Sequence, residues 1–384
     1  MMKMTPGTIK VLIMAGGTGG HVFPALCIAE HLQAKGIEVE WLGTRSGLEA
    51  SVIPKASIPI HYISIRGLRG SSVWKKLTAP VSILMAVIQS LVKLLSIKPN
   101  CVLGMGGFVT GPGGIAAWLL RRKLVIHEQN AIAGFTNQLL FPFAFTVMEA
   151  FPGAFERKQK LTFNPLLKQF IKSGKAIHVG NPLRADIAAV PEPEQRLQGR
   201  SGVLNILVIG GSLGAVAINE LIPRMLVLMP EDRRPNIFHQ CGNCNHEETE
   251  KFYREHNLES GASLRIEKFI DDMAAAYCWA DLVVCRAGAL TVAELAGAGV
   301  ASILVPFPFA VDDHQTENAR YLANAGAAVL IQQQDLTAES LKSIVENYTG
   351  DRKALLACAM AARNLAQPRA TELASTLCIE ACHV

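Results

Sequence analysis

Two stretches of this chain, almost 200 residues apart, begin alike. Lys10-Val-Leu-Ile-Met-Ala runs into Gly16-Gly-Thr-Gly-Gly20, and Asn205-Ile-Leu-Val-Ile runs into Gly210-Gly-Ser-Leu-Gly214. Each is a short apolar strand, a glycine turn and the start of a helix, the opening unit of a doubly wound α/β domain. Other apolar runs of strand length follow at Val39–Leu42, Cys101–Leu103, Leu124–Ile126, Ile237–Gln240, Leu282–Val284 and Ser302–Val305. Their continuous Val/Ile/Leu character predicts parallel sheets covered on both faces. At roughly 150 residues per domain, 384 residues suit two such domains. The polar, breaker-rich segment 191–202 reads as a linker. The fold class expected is therefore α/β, with two Rossmann-like doubly wound domains. Their bounds are 1–183 and 184–363, with 364–384 packing back on the first.

The first glycine turn leads into a helix expected to begin near Val22 and Pro24, with Pro24 in the first turn and Gly36 as the stop. Unpaired N–H groups at such a start attract anions. Neither nucleotide fingerprint is present. G-x-G-x-x-G counted from Gly17 and Gly19 meets Val22, no acid waits near Gly43–Thr44 for a ribose, and no Gly-Lys-Ser/Thr follows. That argues against a nicotinamide dehydrogenase. The segment 104–114 holds six glycines beyond a strand, a density that implies either a close approach or a mobile binding loop.

A net charge of +5 and 6% aromatic residues argue against a nucleic-acid-coating surface. The nine cysteines are scattered, and the chain start reads as a strand rather than a secretory leader, so reduced thiols are expected. Cys241 and Cys244, with His246 nearby, have no second ligand pair at zinc-site spacing, so a turn after the strand is expected there. Leu77–Ile97 is long and apolar, yet Pro80, Gln89 and Lys93 interrupt it. With Trp74, Lys75, Lys76 and Lys98 at its ends it reads as a helix with a greasy face. That face either docks on an anionic membrane or lies under a sheet.

Late in the chain the strand Leu282–Val284 ends in Arg286-Ala-Gly288, and a helix follows. Thr291 and Glu294 lie three apart on it. The pair is either a capping box or a carboxylate set to receive ribose hydroxyls. Asp312-Asp-His-Gln315 follows the next strand, at the carboxyl edge where doubly wound sheets bind ligands.

Taken together, GGTGGHVFPA (16–25), GMGGFVTGPGG (104–114), HEQNAIAGFTN (127–137), GNPLR (180–184), GGSLGA (210–215), RAGALTVAE (286–294) and DDHQTENA (312–319) closely resemble the MurG family of glycosyltransferases. The resemblance implies the GT-B fold, with an active site in the cleft between two Rossmann-like domains. It implies inverting transfer of N-acetylglucosamine (GlcNAc) from UDP-GlcNAc to the 4-hydroxyl of undecaprenyl-pyrophosphoryl-MurNAc-pentapeptide, a step of peptidoglycan synthesis that serves cell shape and division. Carried over, Ile270 presents its backbone to uracil and Glu294 takes the ribose hydroxyls. Ala289, Leu290, Thr291, Val292 and Ala293 form the helix start by the diphosphate, with Ser212 and Arg184 close to it. Gln315 recognises the sugar, and Thr18, Gly19, Gly20 and Asn130 face it from the first domain. His21 is the candidate base, with Glu128 the alternative and His127 a rival or an orienting group. Leu213 and Ala131 stand where the family commonly has Gln and Gly, which removes one possible polar contact at Leu213.

A histidine, with an unperturbed pKa of ~6.5, takes a proton near neutral pH. No Asp-x-Asp motif occurs to hold a metal on the diphosphate. Transfer without cofactor or metal is therefore expected, the leaving charge being met by a helix start and Arg184. The lipid acceptor implies peripheral attachment to the cytoplasmic face of the bacterial inner membrane through Trp74–Lys98 and Trp118–Lys123. Nucleic acid is not an expected partner; cell-wall synthesis proteins are. The rival readings are a UDP-GlcNAc 2-epimerase and a non-catalytic UDP-sugar-binding scaffold.

Overall fold

A computed structural model describes residues 9–65, 78–156, 176–211 and 214–383. These residues fall into two compact units, one within 1–182 and 369–384, the other within 183–368. Trp74, Lys75, Lys76, Ser212 and Leu213 lie outside the described residues.

The first unit holds a parallel sheet of seven strands in the order β3-β2-β1-β4-β5-β6-β7. The strands are β1 (Lys10–Met14), β2 (Glu38–Gly43), β3 (Ile60–Tyr62), β4 (Cys101–Gly104), β5 (Lys123–Glu128), β6 (Thr146–Glu149) and β7 (Ala176–His178). Register is set by apolar runs buried on both faces: Val11 pairs Val39 on one side and Cys101 on the other. Helix α1 (Gly19–Ala34) crosses from β1 to β2. Its end is as expected, with Gly36 at φ +77° and its N–H bonded to the Gln33 carbonyl. Its start is earlier than expected. Pro24 therefore lies inside the helix, where its ring nitrogen cannot bond the Gly20 carbonyl.

Helix α2 (Ala79–Ile97) is one continuous helix that packs on α3 (Gly107–Leu119). It buries Ala86, Val87, Ser90, Leu94 and Ile97 and leaves Val81, Leu84, Met85, Ile88, Val92 and Leu95 in solvent. It is therefore neither a fully covered core helix nor polar on its outer side. The last helix, Ala370–His383, packs on α1 and β4, burying Ala374, Cys378 and Ala381 in the first unit's core.

The second unit repeats the plan with six parallel strands in the order β10-β9-β8-β11-β12-β13. These are β8 (Asn205–Ile209), β9 (Asn236–Gln240), β10 (Leu264–Glu267), β11 (Leu282–Cys285), β12 (Ala301–Leu304) and β13 (Ala328–Leu330). Helices α4 (Val216–Val227), α5 (His246–Glu255), α6 (Ala289–Ala298), α7 (His314–Ala323), α8 (Ala338–Gly350) and α9 (Arg352–Asn364) cover it. The segment 191–202 is not a free linker. Residues Pro193–Leu197 are helical, and the buried Arg196 donates to the carbonyls of Ala280 (2.5 Å) and Gly299 (2.7 Å). A buried guanidinium donating to two backbone carbonyls anchors that stretch to the second unit.

Candidate active-site residues in each unit

In the first unit the strand order reverses between β1 and β4, and ligands of doubly wound sheets bind beyond the carboxyl ends at such a point. Two glycine turns meet there. Gly17 has φ +94°, and Gly106 and Gly107 have φ +87° and +80°, a region that only glycine enters without strain. A Cβ on Gly107 would lie 2.4 Å from the Gly16 carbonyl oxygen, and one on Gly106 would lie 2.9 Å from the His21 ring. The glycine density of 104–114 is thus a close approach of backbone to backbone and of backbone to imidazole.

Thr18 is extended and makes no side-chain cap, so α1 opens without one. Thr18 is exposed, and Gly19, Gly20 and His21 are half-buried in the helix's first turn. The acid missing from Gly43–Thr44 arrives from five residues on. Buried Glu49 accepts from the N–H groups of Gly17 (3.0 Å) and Thr44 (2.8 Å) and from the Thr44 hydroxyl (2.8 Å). Its carboxylate pins the glycine turn, and protein groups occupy its acceptor sites.

The HEQN segment ends β5. His127 is fully buried, its Nε2 3.0 Å from the Gly180 carbonyl. Burial holds its pKa down to about 4, so the ring is neutral. Gln129 lies between it and His21, with Oε1 3.0 Å from His21 Nδ1 and Nε2 3.1 Å from His127 Nδ1. Buried Glu128 turns the other way. It accepts from the Asn130 N–H (2.9 Å) and Asn130 Nδ2 (3.2 Å) at one oxygen, and from the Gly134 N–H (2.9 Å) and Asn137 Nδ2 (2.8 Å) at the other. These four donors tie the carboxylate to the loop 129–137 and shape it. That geometry suits a structural carboxylate better than a base. Asn130, half-buried, is held in that loop.

In the second unit the reversal falls between β8 and β11. The β8 turn has Gly211 and Gly214 at φ +77° and +76°, and a Cβ on Gly214 would lie 2.2 Å from the Cys241 carbonyl oxygen. After β11, α6 begins at Ala289 with Gly288 extended before it and no side-chain cap. Thr291 is therefore the third helical residue and Glu294 the sixth. The capping-box alternative fails because the helix starts three residues too early for it. Leu290, Thr291 and Ala293 are half-buried at this end, and Ala289 and Val292 are buried.

Glu294 instead accepts a hydrogen bond from the buried Tyr277 hydroxyl at 3.0 Å. Burial pushes its pKa up to about 7. The Tyr277 bond and the Arg184 charge pull it down, and Asp186 pushes it up. Arg184, in extended backbone ahead of a short helix, thus lies within electrostatic reach of Glu294. Ile270 is buried two residues before Asp272, which caps the next helix through the Ala275 N–H (2.8 Å). Gln315 opens α7, its Oε1 accepting from the Phe307 N–H at 2.9 Å. Just before it Asp312 and Asp313 both sit at φ +58°, left-handed backbone that non-glycine residues rarely adopt. Cys241 occupies the turn after β9, its thiol donating to the Glu267 carbonyl at 3.3 Å.

Sequence reasoning missed three residues here. Gln129 lay inside a quoted motif but carried no charge. Glu49 sat five residues beyond the place searched. Tyr277 lies in an apolar helix and carries no signal of its own.

Residues 11–149 match the glycosyltransferase family 28 N-terminal domain and residues 205–377 its C-terminal domain. The chain is 51% identical over 372 residues to the UDP-N-acetylglucosamine–N-acetylmuramyl-(pentapeptide) pyrophosphoryl-undecaprenol N-acetylglucosamine transferase of Marinobacter nauticus, covering 97% of each chain. It is 50% identical to the transferase of that name from Nitrosococcus oceani, covering 97% of this chain and 98% of that one. The crystal structure of Acinetobacter baumannii MurG superposes with a TM-score of 0.79 at 42% identity, over 97% of this chain and 99% of that one. Two parallel α/β units, the family domains in order and end-to-end similarity agree: the chain is a GT-B protein and belongs to glycosyltransferase family 28, among the MurG transferases.

Proposed function

We propose that the protein transfers GlcNAc from UDP-GlcNAc to the 4-hydroxyl of undecaprenyl-pyrophosphoryl-MurNAc-pentapeptide, with inversion at the anomeric carbon. The observation that carries this reading is the end-to-end similarity to transferases whose names state that donor and that acceptor. The acceptor oxygen attacks the anomeric carbon as the bond to the diphosphate breaks, and the bonding pair leaves with UDP. The hydroxyl proton passes to His21, help of a kind worth ~10²–10⁴-fold. Glu294 takes the ribose hydroxyls, and Ile270 presents its backbone to uracil. The start of α6, with Arg184 and Ser212, meets the charge growing on the diphosphate. Gln315 reads the GlcNAc ring, and Thr18, Gly19, Gly20 and Asn130 face the same sugar from the first unit.

The lipid chain requires a visit to the membrane surface. The exposed face of α2, continued by Trp118 and Leu119 on α3, supplies an apolar platform, and Lys98, Arg121, Arg122 and Lys123 supply the positive rim. We assign peripheral attachment at the cytoplasmic face of the inner membrane to this surface.

Labelled GlcNAc offered as UDP-GlcNAc to a short-chain lipid-linked muramoyl-pentapeptide tests the reading. Product is expected with EDTA present. Absence of product both in EDTA and with added magnesium, from folded protein, would remove the assignment.

A further inference from the structure

The hydrogen bonds behind His21 specify its tautomer, and each step follows from what a group is able to do. A carbonyl oxygen only accepts, so His127 Nε2, 3.0 Å from the Gly180 carbonyl, carries the proton. Fully buried and held neutral, with its pKa down to about 4, His127 has one proton on its ring, which leaves Nδ1 bare. A bare Nδ1 accepts from the Gln129 amide nitrogen at 3.1 Å. The same nitrogen lies 3.2 Å from the His127 backbone carbonyl, a second pure acceptor, so the orientation of the amide is determined twice. Gln129 Oε1 therefore faces His21 Nδ1 at 3.0 Å, and an oxygen there requires a proton on that nitrogen. The Asn181 side chain donates to the Gln129 carbonyl at 3.0 Å, and the Gly106 backbone backs the imidazole where no Cβ would fit.

We infer that Gln129 is a positioning residue: oriented by His127, its amide holds His21 as the Nδ1–H tautomer and leaves Nε2 as the lone pair that receives the acceptor's proton. This rests on the reading of His21 as the base. When Nε2 takes the proton, the Nδ1–H···O bond becomes charge-assisted and strengthens, so the amide favours the transition state over the ground state. A carboxylate plays the comparable part in serine proteases, where its conversion to an amide costs about 10⁴ in kcat by favouring the wrong tautomer. Here the amide is suited to the task because a neutral histidine, and not bulk charge, sets its direction.

The test is histidine ring 15N NMR on the full chain above pH 8, with the His21 signals identified by their loss in His21→Ala. The neutral ring of the wild type is expected as Nδ1–H with Nε2 bare; an Nε2–H ring would overturn the inference, and this measurement needs no Gln129 variant to fold. Gln129→Leu is expected to release the tautomer toward Nε2–H and to lower kcat about 10–100-fold, with KM for UDP-GlcNAc within about twofold. An unchanged kcat in Gln129→Leu would overturn the positioning role. Full turnover in His21→Ala would instead sink the base reading. An inactive His21→Ala beside an Nε2–H wild type would leave the base reading intact and sink the tautomer inference alone.

Discussion

Glu294 meets two opposed demands. In the proposed donor site its carboxylate accepts two ribose hydroxyls in the charged form, yet its surroundings raise its pKa from 4.5 to about 7. The folded value exceeds the unfolded one, so the native state binds the extra proton between about pH 4.5 and about pH 7. The Glu294 contribution to stability is thus full at low pH and declines as pH rises through that window. Donor binding runs the other way. KM for UDP-GlcNAc is expected to climb as pH falls below about 7, and Glu294→Gln is expected to remove that dependence. The variant should raise KM ~10–100-fold through the loss of charge-assisted bonds, and should melt no lower than wild type at pH 8. A variant that keeps the wild-type pH dependence of KM, followed by initial rates, would assign that dependence to another group. Tyr277 is the counterweight: its hydroxyl donates a hydrogen bond that favours the charged form of Glu294.

At the scale of elements, α2 behaves unlike the other helices around the first sheet. It is the one described helix long and apolar enough to cross a membrane, yet a helix lying on a bilayer meets the same test. One side, through Ala86, Ser90, Leu94 and Ile97, is buried. The opposite side shows Val81 at 64% exposure and Val92 at 60%. Leaving so much apolar surface in water is unfavourable by roughly 25 cal/mol per Å², which a lipid surface relieves. Because Val92 is exposed, Val92→Glu should change stability by less than about 0.5 kcal/mol. It should weaken binding to anionic phospholipid vesicles about tenfold, and salt should weaken the wild type as well. Equal co-sedimentation of wild type and variant would move the docking surface elsewhere. The glycine turns are the other informative elements. At Gly106 and Gly107 the backbone has positive φ and lies against His21 and Gly16 with no room for a Cβ, so the glycines there serve close approach.

For the whole molecule, the two units have separate cores, one around Val11, Ile13, Leu103 and Cys378, the other around Ile206, Val208, Val284 and Ile303. A ligand held by the second unit stabilises that unit by mass action. UDP at 100 times its Kd adds about 2.7 kcal/mol to the unit that binds it. Scanning calorimetry with UDP is therefore expected to shift the unfolding of the second unit more than that of the first, and a larger shift in the first would reassign the donor side. Much of this architecture was legible in the chain itself. Eight apolar runs became strands within a residue or two, because a parallel strand buried on both faces must be apolar throughout. Of the five strands that went unread, Ile60–Tyr62, Ala176–His178 and Leu264–Glu267 are sheet edges whose polar residues break any apolar run, and Ala328–Leu330, also an edge, is apolar but only three residues long. Thr146–Glu149 is interior, but only Val147 and Met148 in it are apolar, too short a run to read. The sequence by itself determined the two doubly wound units, the family, and His21, Glu294 and Gln315 as residues of interest, since motifs record residue type and spacing. Only the tertiary structure decided that Glu49 closes the first glycine turn, that Glu128 shapes a loop, that Tyr277 meets Glu294, and that Gln129 stands between two histidines. Those are contacts between groups distant in the chain or turned by a loop, and hydrogen-bond direction exists only once the partners are in place.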